Sequence, residues 1–105
     1  MAWVYLGFAG LLEIVWATAM KQSDGFTRPG ASALTLAAMA ASFGLLALAM
    51  RSLPLGTAYT IWTGIGAVGA FAVGVAWLGE PLSAARAAAA ALIVAGLALM
   101  KMSSP

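Results

Sequence analysis

The chain is short and strongly apolar, because 64% of its 105 residues are hydrophobic and only 8% are charged, with a net charge of +2. Soluble domains keep about a quarter of their residues charged, so a soluble fold is excluded and lipid is the expected solvent. Without cysteine or histidine, the chain lacks the common zinc, haem and iron–sulfur ligands and the Ser-His and Cys-His nucleophile pairs. We therefore expect no enzyme, no metal and no cofactor. The Lys and Arg residues are scattered singly, which argues against nucleic acid as a partner.

The first predicted transmembrane helix covers residues 2–21 and is apolar except for Glu13. A helix needs about 20 residues to cross the hydrocarbon core of a bilayer. Residues 1–12 lack the basic segment that begins a signal peptide, and the apolar run continues beyond Glu13. We therefore expect this segment to remain in the mature protein as a membrane span.

Three further spans follow, each preceded by helix-breaking residues. The predicted helices cover residues 32–50, 55–78 and 84–102, with Ser32 as the expected N-terminal cap of the first of these. The connections are short, and short connections make consecutive helices antiparallel neighbours. The sequence therefore predicts an all-α integral membrane protein, in which residues 1–105 form a single domain of four transmembrane helices.

Positive charge is almost evenly divided between the two ends of such a bundle. One end carries Lys21, Arg28 and Arg86, and the other carries Arg51, Lys101 and the terminal amine. Because excess Lys and Arg on one side sets the orientation of a membrane protein, this balance gives little preference. We expect copies to insert in both orientations and to pair as an antiparallel homodimer.

Glu13 is the one charged residue predicted to lie deep in the membrane. It precedes Lys21 by eight residues, about 12 Å along a helix, which is near the bilayer middle. A carboxylate there is costly, so it should face a bundle interior or an aqueous cavity, where a proton or a cation can compete for it. A structural glutamate that hydrogen-bonds between helices is the alternative, but no intramembrane Lys or Arg is present to pair with it.

Aromatic side chains lie at helical spacing from this acid and within the third span. Trp16 is one turn from Glu13, where an indole beside a carboxylate favours cation binding; its alternative role is interfacial anchoring. Tyr59 and Trp62 form a similar pair on the third helix, and their spacing alone is equally typical of packing.

Small residues and one hydroxyl complete the candidate positions. Ser42 lies mid-membrane, where its hydroxyl has two expected partners, the Glu13 carboxylate or a carbonyl of its own helix. Gly64, Gly66 and Gly69 favour either a kink in the third helix or close helix packing. The same glycines formally match a dinucleotide-binding motif, which we reject because they lie inside an apolar span. A further set of small residues marks a possible dimer contact on the fourth helix, namely Ala89 and Gly96.

Several sequence motifs resemble those of the small multidrug resistance family across essentially the whole chain. They are GLLEIVWA at residues 10–17, Lys21 with GFTR at 25–28, and PLGTAYTIWTGIG at 54–66. Trp16 after the acid, WTG at 62–64 and LGE at 78–80 look like the guanidinium exporter subtype rather than the polyaromatic drug exporters.

The resemblance implies an antiparallel homodimer in the bacterial inner membrane that exchanges protons for guanidinium and small guanidinyl cations. It implies that Glu13 of both subunits forms the shared proton and substrate site, and it assigns Trp16, Ser42, Tyr59 and Trp62 to the binding pocket. Ala89 stands where the family commonly has glycine. The alternatives are a multidrug exporter of quaternary ammonium compounds and a helical interaction subunit that does not transport.

Overall fold

The computed structural model describes residues 1–104 and consists of four helices joined by short loops. They are α1 (Ala2–Gln22), α2 (Pro29–Met50), α3 (Leu55–Trp77) and α4 (Ala84–Met102). Each is long and apolar enough to cross a bilayer. The prediction of an all-helical protein with four membrane-spanning segments is confirmed.

The start of α2 differs from the prediction, because the helix begins three residues before Ser32, at Pro29. Arg28 caps it in an extended conformation, and proline suits the first helical position because it has no N–H that needs a partner. Ser32 is therefore inside the first turn, where its hydroxyl donates to the Arg28 carbonyl at 2.7 Å. At α4, the Ser83 hydroxyl caps the helix by accepting from the Arg86 backbone N–H at 3.2 Å.

Three of the helices form a compact bundle, and the fourth lies at its side. α1 packs against both α2 and α3, whereas the backbone of α4 approaches α3 alone. The buried core comes from the first three helices: Leu6, Ala9, Leu46, Ala49, Ala58, Ile61 and Trp62. None of the 19 residues of α4 is buried. In a bilayer, this apolar helix is therefore available to lipid or to another protein chain.

The loop between α3 and α4 holds these two helices together at one end. Gly79 has a φ of +72°, which lets the Glu80 N–H turn back to the Gly74 carbonyl at 3.0 Å. Arg86 donates to the Pro81 carbonyl at 2.6 Å and lies 3.4 Å from the Glu80 carboxylate. The α4 start is thus fixed to the α3 end by backbone and side-chain contacts.

Replacing Gly79 with alanine should lower the free energy of unfolding by about 1–2 kcal/mol, because an L side chain in the left-handed region meets its own backbone. The measurement is a titration from mild detergent into SDS, followed by far-UV circular dichroism. Gly30→Ala is the matched control, since Gly30 lies in the first turn of α2 with no atom within 4 Å of an added Cβ. Equal effects of the two substitutions would contradict the assigned role of Gly79.

Candidate functional site

Glu13 lies on α1 with its side chain half-buried against the backbone of α3. The contact is at Gly66, where an added Cβ would collide with the Glu13 carboxylate and lie 2.7 Å from its Cγ. The absence of a side chain at Gly66 is therefore what lets the acid occupy this position. One carboxylate oxygen, Oε1, is buried and has no hydrogen-bond partner within residues 1–104.

Trp16 provides a second unbonded polar atom one turn along the same helix. Its indole Nε1 is buried and, like the Glu13 oxygen, has no partner in the described part of the chain. Buried donors and acceptors are bonded in the large majority of cases, so two such atoms this near each other in sequence indicate an incomplete site. The carboxylate suits a cation or a proton and the face of the indole can attract a cation, whereas the indole N–H itself needs an acceptor.

Ser42 connects the three core helices immediately beside this region. Its hydroxyl donates to the Ala9 carbonyl of α1 at 2.6 Å and accepts from the Trp62 indole of α3 at 3.0 Å. Both hydrogen bonds are buried. The two expected partners of Ser42, the Glu13 carboxylate and a carbonyl of α2, are thus both wrong in this structure. The reason is that α1 approaches closely enough to offer the Ala9 carbonyl, which lies one turn before Glu13.

A row of aromatic rings runs from α1 past α2 to α3, and two of its side chains, Phe43 and Tyr59, are exposed in the single chain. The Trp16 and Phe43 centroids are 6.2 Å apart, Phe43 and Trp62 are 5.7 Å apart, and Trp62 and Tyr59 are 5.5 Å apart. Three of these residues are among the predicted pocket residues: Tyr59 contacts Trp62 directly, and Phe43 links Trp62 to Trp16. Phe43 is not among the predicted residues, although it is the only aromatic residue of α2 and follows Ser42 directly.

The glycines of α3 allow close approach of two different helices. A Cβ at Gly66 or Gly69 would collide with Glu13 or Ile14 of α1, and one at Gly64 would collide with Leu97 of α4. α3 is a continuous helix through all three positions. Of the two roles predicted for these glycines, close packing has direct support in these contacts, while bending of α3 stays a prediction.

The possible dimer contacts on α4, Ala89 and Gly96, are both exposed in the single chain. A Cβ added at Gly96 would have no atom within 4 Å, so neither packing inside the bundle nor a turn explains glycine there. Their role in a dimer stays a prediction.

The contact between Glu13 and Gly66 gives a testable coupling. Gly66→Ala should lower the free energy of unfolding by about 1–3 kcal/mol, because the new methyl group overlaps the Glu13 side chain. In a Glu13→Ala background the same substitution should be much less destabilising, since the group it meets is gone. SDS titration of the four proteins in the cycle measures this difference.

Gly44→Ala is the matched control for this cycle, because Gly44 is also helical and an added Cβ there meets no atom within 4 Å. It should have a small effect in both backgrounds. A Gly66→Ala effect that is unchanged by Glu13→Ala would show that the two residues do not contact each other.

Comparison with known proteins gives a consistent result along the whole chain. The Small Multidrug Resistance protein family matches residues 1–103. The chain is 55% identical over 104 residues to a protein named guanidinium exporter from Yersinia pseudotuberculosis, covering 99% of this chain and 100% of that protein. It is 53% and 52% identical to proteins of the same name from Salmonella typhimurium and Escherichia coli strain K12, with 99% coverage of both chains in each case.

These matches agree with the four membrane-spanning helices. The chain is a multi-pass membrane protein that belongs to the Small Multidrug Resistance protein family, whose members include small-molecule exporters.

Proposed function

We propose that this protein is a proton-coupled antiporter that exports guanidinium and small guanidinyl cations across the bacterial inner membrane, with Glu13 as the common site for proton and cation. The observation that carries the proposal is the buried Glu13 oxygen without a hydrogen-bond partner in residues 1–104. An ionisable group at this depth is costly unless a ligand, a proton or a counter-charge completes it. The names of the bacterial relatives support guanidinium as the cation.

The groups around Glu13 suit a planar cation with N–H donors along its edge. A carboxylate can accept two parallel hydrogen bonds from a guanidinium group, which gives both affinity and a fixed orientation. The face of the cation can then lie against an indole such as Trp16. The Trp62 indole donates a hydrogen bond to Ser42 and its ring contacts Phe43, which together fix the orientation of the ring.

Exchange follows from competition for one acid group. A protonated Glu13 has lost the charge that holds a cation, so the proton and guanidinium exclude each other. If only the loaded forms of the protein change the side to which the site is open, export of the cation is coupled to entry of protons. This mechanism needs a single carboxylate per chain at membrane depth, which the sequence provides.

We further propose that two chains pair antiparallel and that Glu13 of both lies in the shared site. A single chain offers support in two places, because α4 buries none of its residues and the Tyr59 side chain is 52% exposed. Ala89 and Gly96 offer a small-residue surface for helix association on α4. Two inverted copies also form the inverted repeat on which alternating-access carriers are built.

Proteoliposomes with an outward guanidinium gradient should take up protons, as read by an external pH-sensitive dye. Glu13→Gln should abolish this uptake, because glutamine keeps the size of the side chain but cannot ionise. Glu80→Gln is the matched control, since Glu80 lies in the exposed loop beside Arg86, and it should leave most of the exchange intact.

Three results would contradict the proposal in different ways. Exchange of tetraphenylphosphonium-like cations without guanidinium would favour an exporter of quaternary ammonium compounds. Unchanged guanidinium exchange in Glu13→Gln would remove Glu13 from the mechanism. A native protein that assembles normally but exchanges neither cation would favour a helical interaction subunit.

Sidedness reporters fused separately to the two termini test the antiparallel arrangement. Each fusion should give both a cytoplasmic and a periplasmic signal, because Lys and Arg are nearly balanced between the two ends. Adding two lysines to the loop between α1 and α2 should shift both reporters towards a single orientation. Uniform orientation of the unmodified chain would exclude the proposed antiparallel dimer.

A further inference from the structure

An apolar groove runs between the start of α1 and the end of α4, with α3 as its floor. Its volume is about 560 Å³, and its lining includes Trp3, Gly7, Ile61, Ile65, Val94 and Leu97. The groove exists because α1 and α4 each pack on α3 without their backbones approaching each other. It lies apart from the row of aromatic rings beside Glu13.

A second apolar groove adjoins the first at Gly7 and Ile65. It has a volume of about 390 Å³ and is also lined by Val4, Phe8 and Leu11 of α1. A Cβ added at Gly7 would have no atom within 4 Å, so the lack of a side chain there keeps the space open. Two adjacent apolar grooves offer a separate surface to each chain of a ligand with two hydrocarbon chains.

A cation lies at the end of the larger groove. Lys101 is part of the groove lining, and its Nζ atom lies 4.9 Å from the centroid of the Trp3 ring. The amine of Met1 and the side chain of Arg51 are at the same end of the bundle, because α1 begins and α2 ends there. Of the three acidic residues, Glu13 lies within α1, and Asp24 and Glu80 lie in the loops at the opposite end. The groove thus opens at an end of the bundle whose charged side chains are positive.

We propose that these grooves bind one anionic phospholipid, with its acyl chains along α1 and α3 and its phosphate against Lys101. The apolar lining can pack against the acyl chains, and the ammonium group attracts the phosphate at the membrane surface. The Trp3 indole is suited to the same depth, since its ring is apolar and its N–H can donate to a headgroup oxygen. This site is independent of the proposed transport of guanidinium.

The test is native mass spectrometry of the purified full-length protein, titrated in detergent with dioleoylphosphatidylglycerol or dioleoylphosphatidylcholine. The native chain should retain the anionic lipid preferentially. Lys101→Gln should weaken phosphatidylglycerol binding about fivefold and leave phosphatidylcholine binding unchanged, the effect expected for one cation near the surface. Lys101→Arg should restore the preference. Arg51→Gln is the matched control, because Arg51 is a cation at the same end outside the groove, and it should change binding by less than about twofold.

A second substitution tests the hydrocarbon part of the site. Gly7→Leu should fill the grooves and reduce binding of both lipids, whereas Gly44→Leu, at another helical glycine with no atom within 4 Å, should leave binding unchanged. Equal losses in Lys101→Gln and Arg51→Gln would overturn the proposal in favour of diffuse surface charge. A Gly7→Leu protein that loses dimer but keeps its lipid would also overturn it, because the groove would then be filled by a second copy of the chain. If Gly7→Leu does not fold, the comparison of Lys101→Gln and Lys101→Arg with Arg51→Gln tests the proposed lipid site by itself.

Discussion

A carboxylate at membrane depth, which pairs with no cationic side chain within residues 1–104, is the constraint on which the packing of α3 against α1 depends. Glu13 has one oxygen buried and unbonded within the described residues, and its side chain lies where α3 has a glycine. A larger residue at that point of α3 would push the acid away from the bundle. The site therefore depends on the absence of a side chain at Gly66 of α3 as well as on the groups that α1 carries.

The three core helices hold this acid through a small number of directional contacts. The Ser42 hydroxyl links the carbonyl one turn before Glu13 to the indole of Trp62, so α1, α2 and α3 meet at one buried oxygen. In hydrocarbon, where apolar packing gives little preference between helices, such a hydrogen bond and close small-residue contacts determine how the helices fit together. α4 packs on α3 at Gly64 but takes no part in the Ser42 hydrogen bonds, and its exposed apolar surface is left for lipid or for a second chain.

The fold and the central acid are predictable from the sequence because both depend on composition along single helices. Four apolar runs separated by helix breakers have few alternatives in lipid, and a lone Glu13 stands out against them. The partners of Ser42 and the role of Phe43 are not predictable in this way, since they depend on how close α1 comes to α2 and on which rings meet. The predicted start of α2 is three residues too late. Proline can begin a helix as well as interrupt one, and Pro29 is the first residue of α2.

The charges at the two ends of the bundle connect the proposed lipid site to the proposed antiparallel pairing. One end has Lys101 beside an apolar groove and the other has Arg86 engaged with Glu80 and the Pro81 carbonyl, so similar numbers of cations have different surroundings. In an antiparallel pair, each leaflet receives one copy of each end. One Lys101 groove would then open to each leaflet. A lipid site at this end of each chain would therefore be offered to the two leaflets equally, so the proposed site is compatible with the proposed antiparallel pairing.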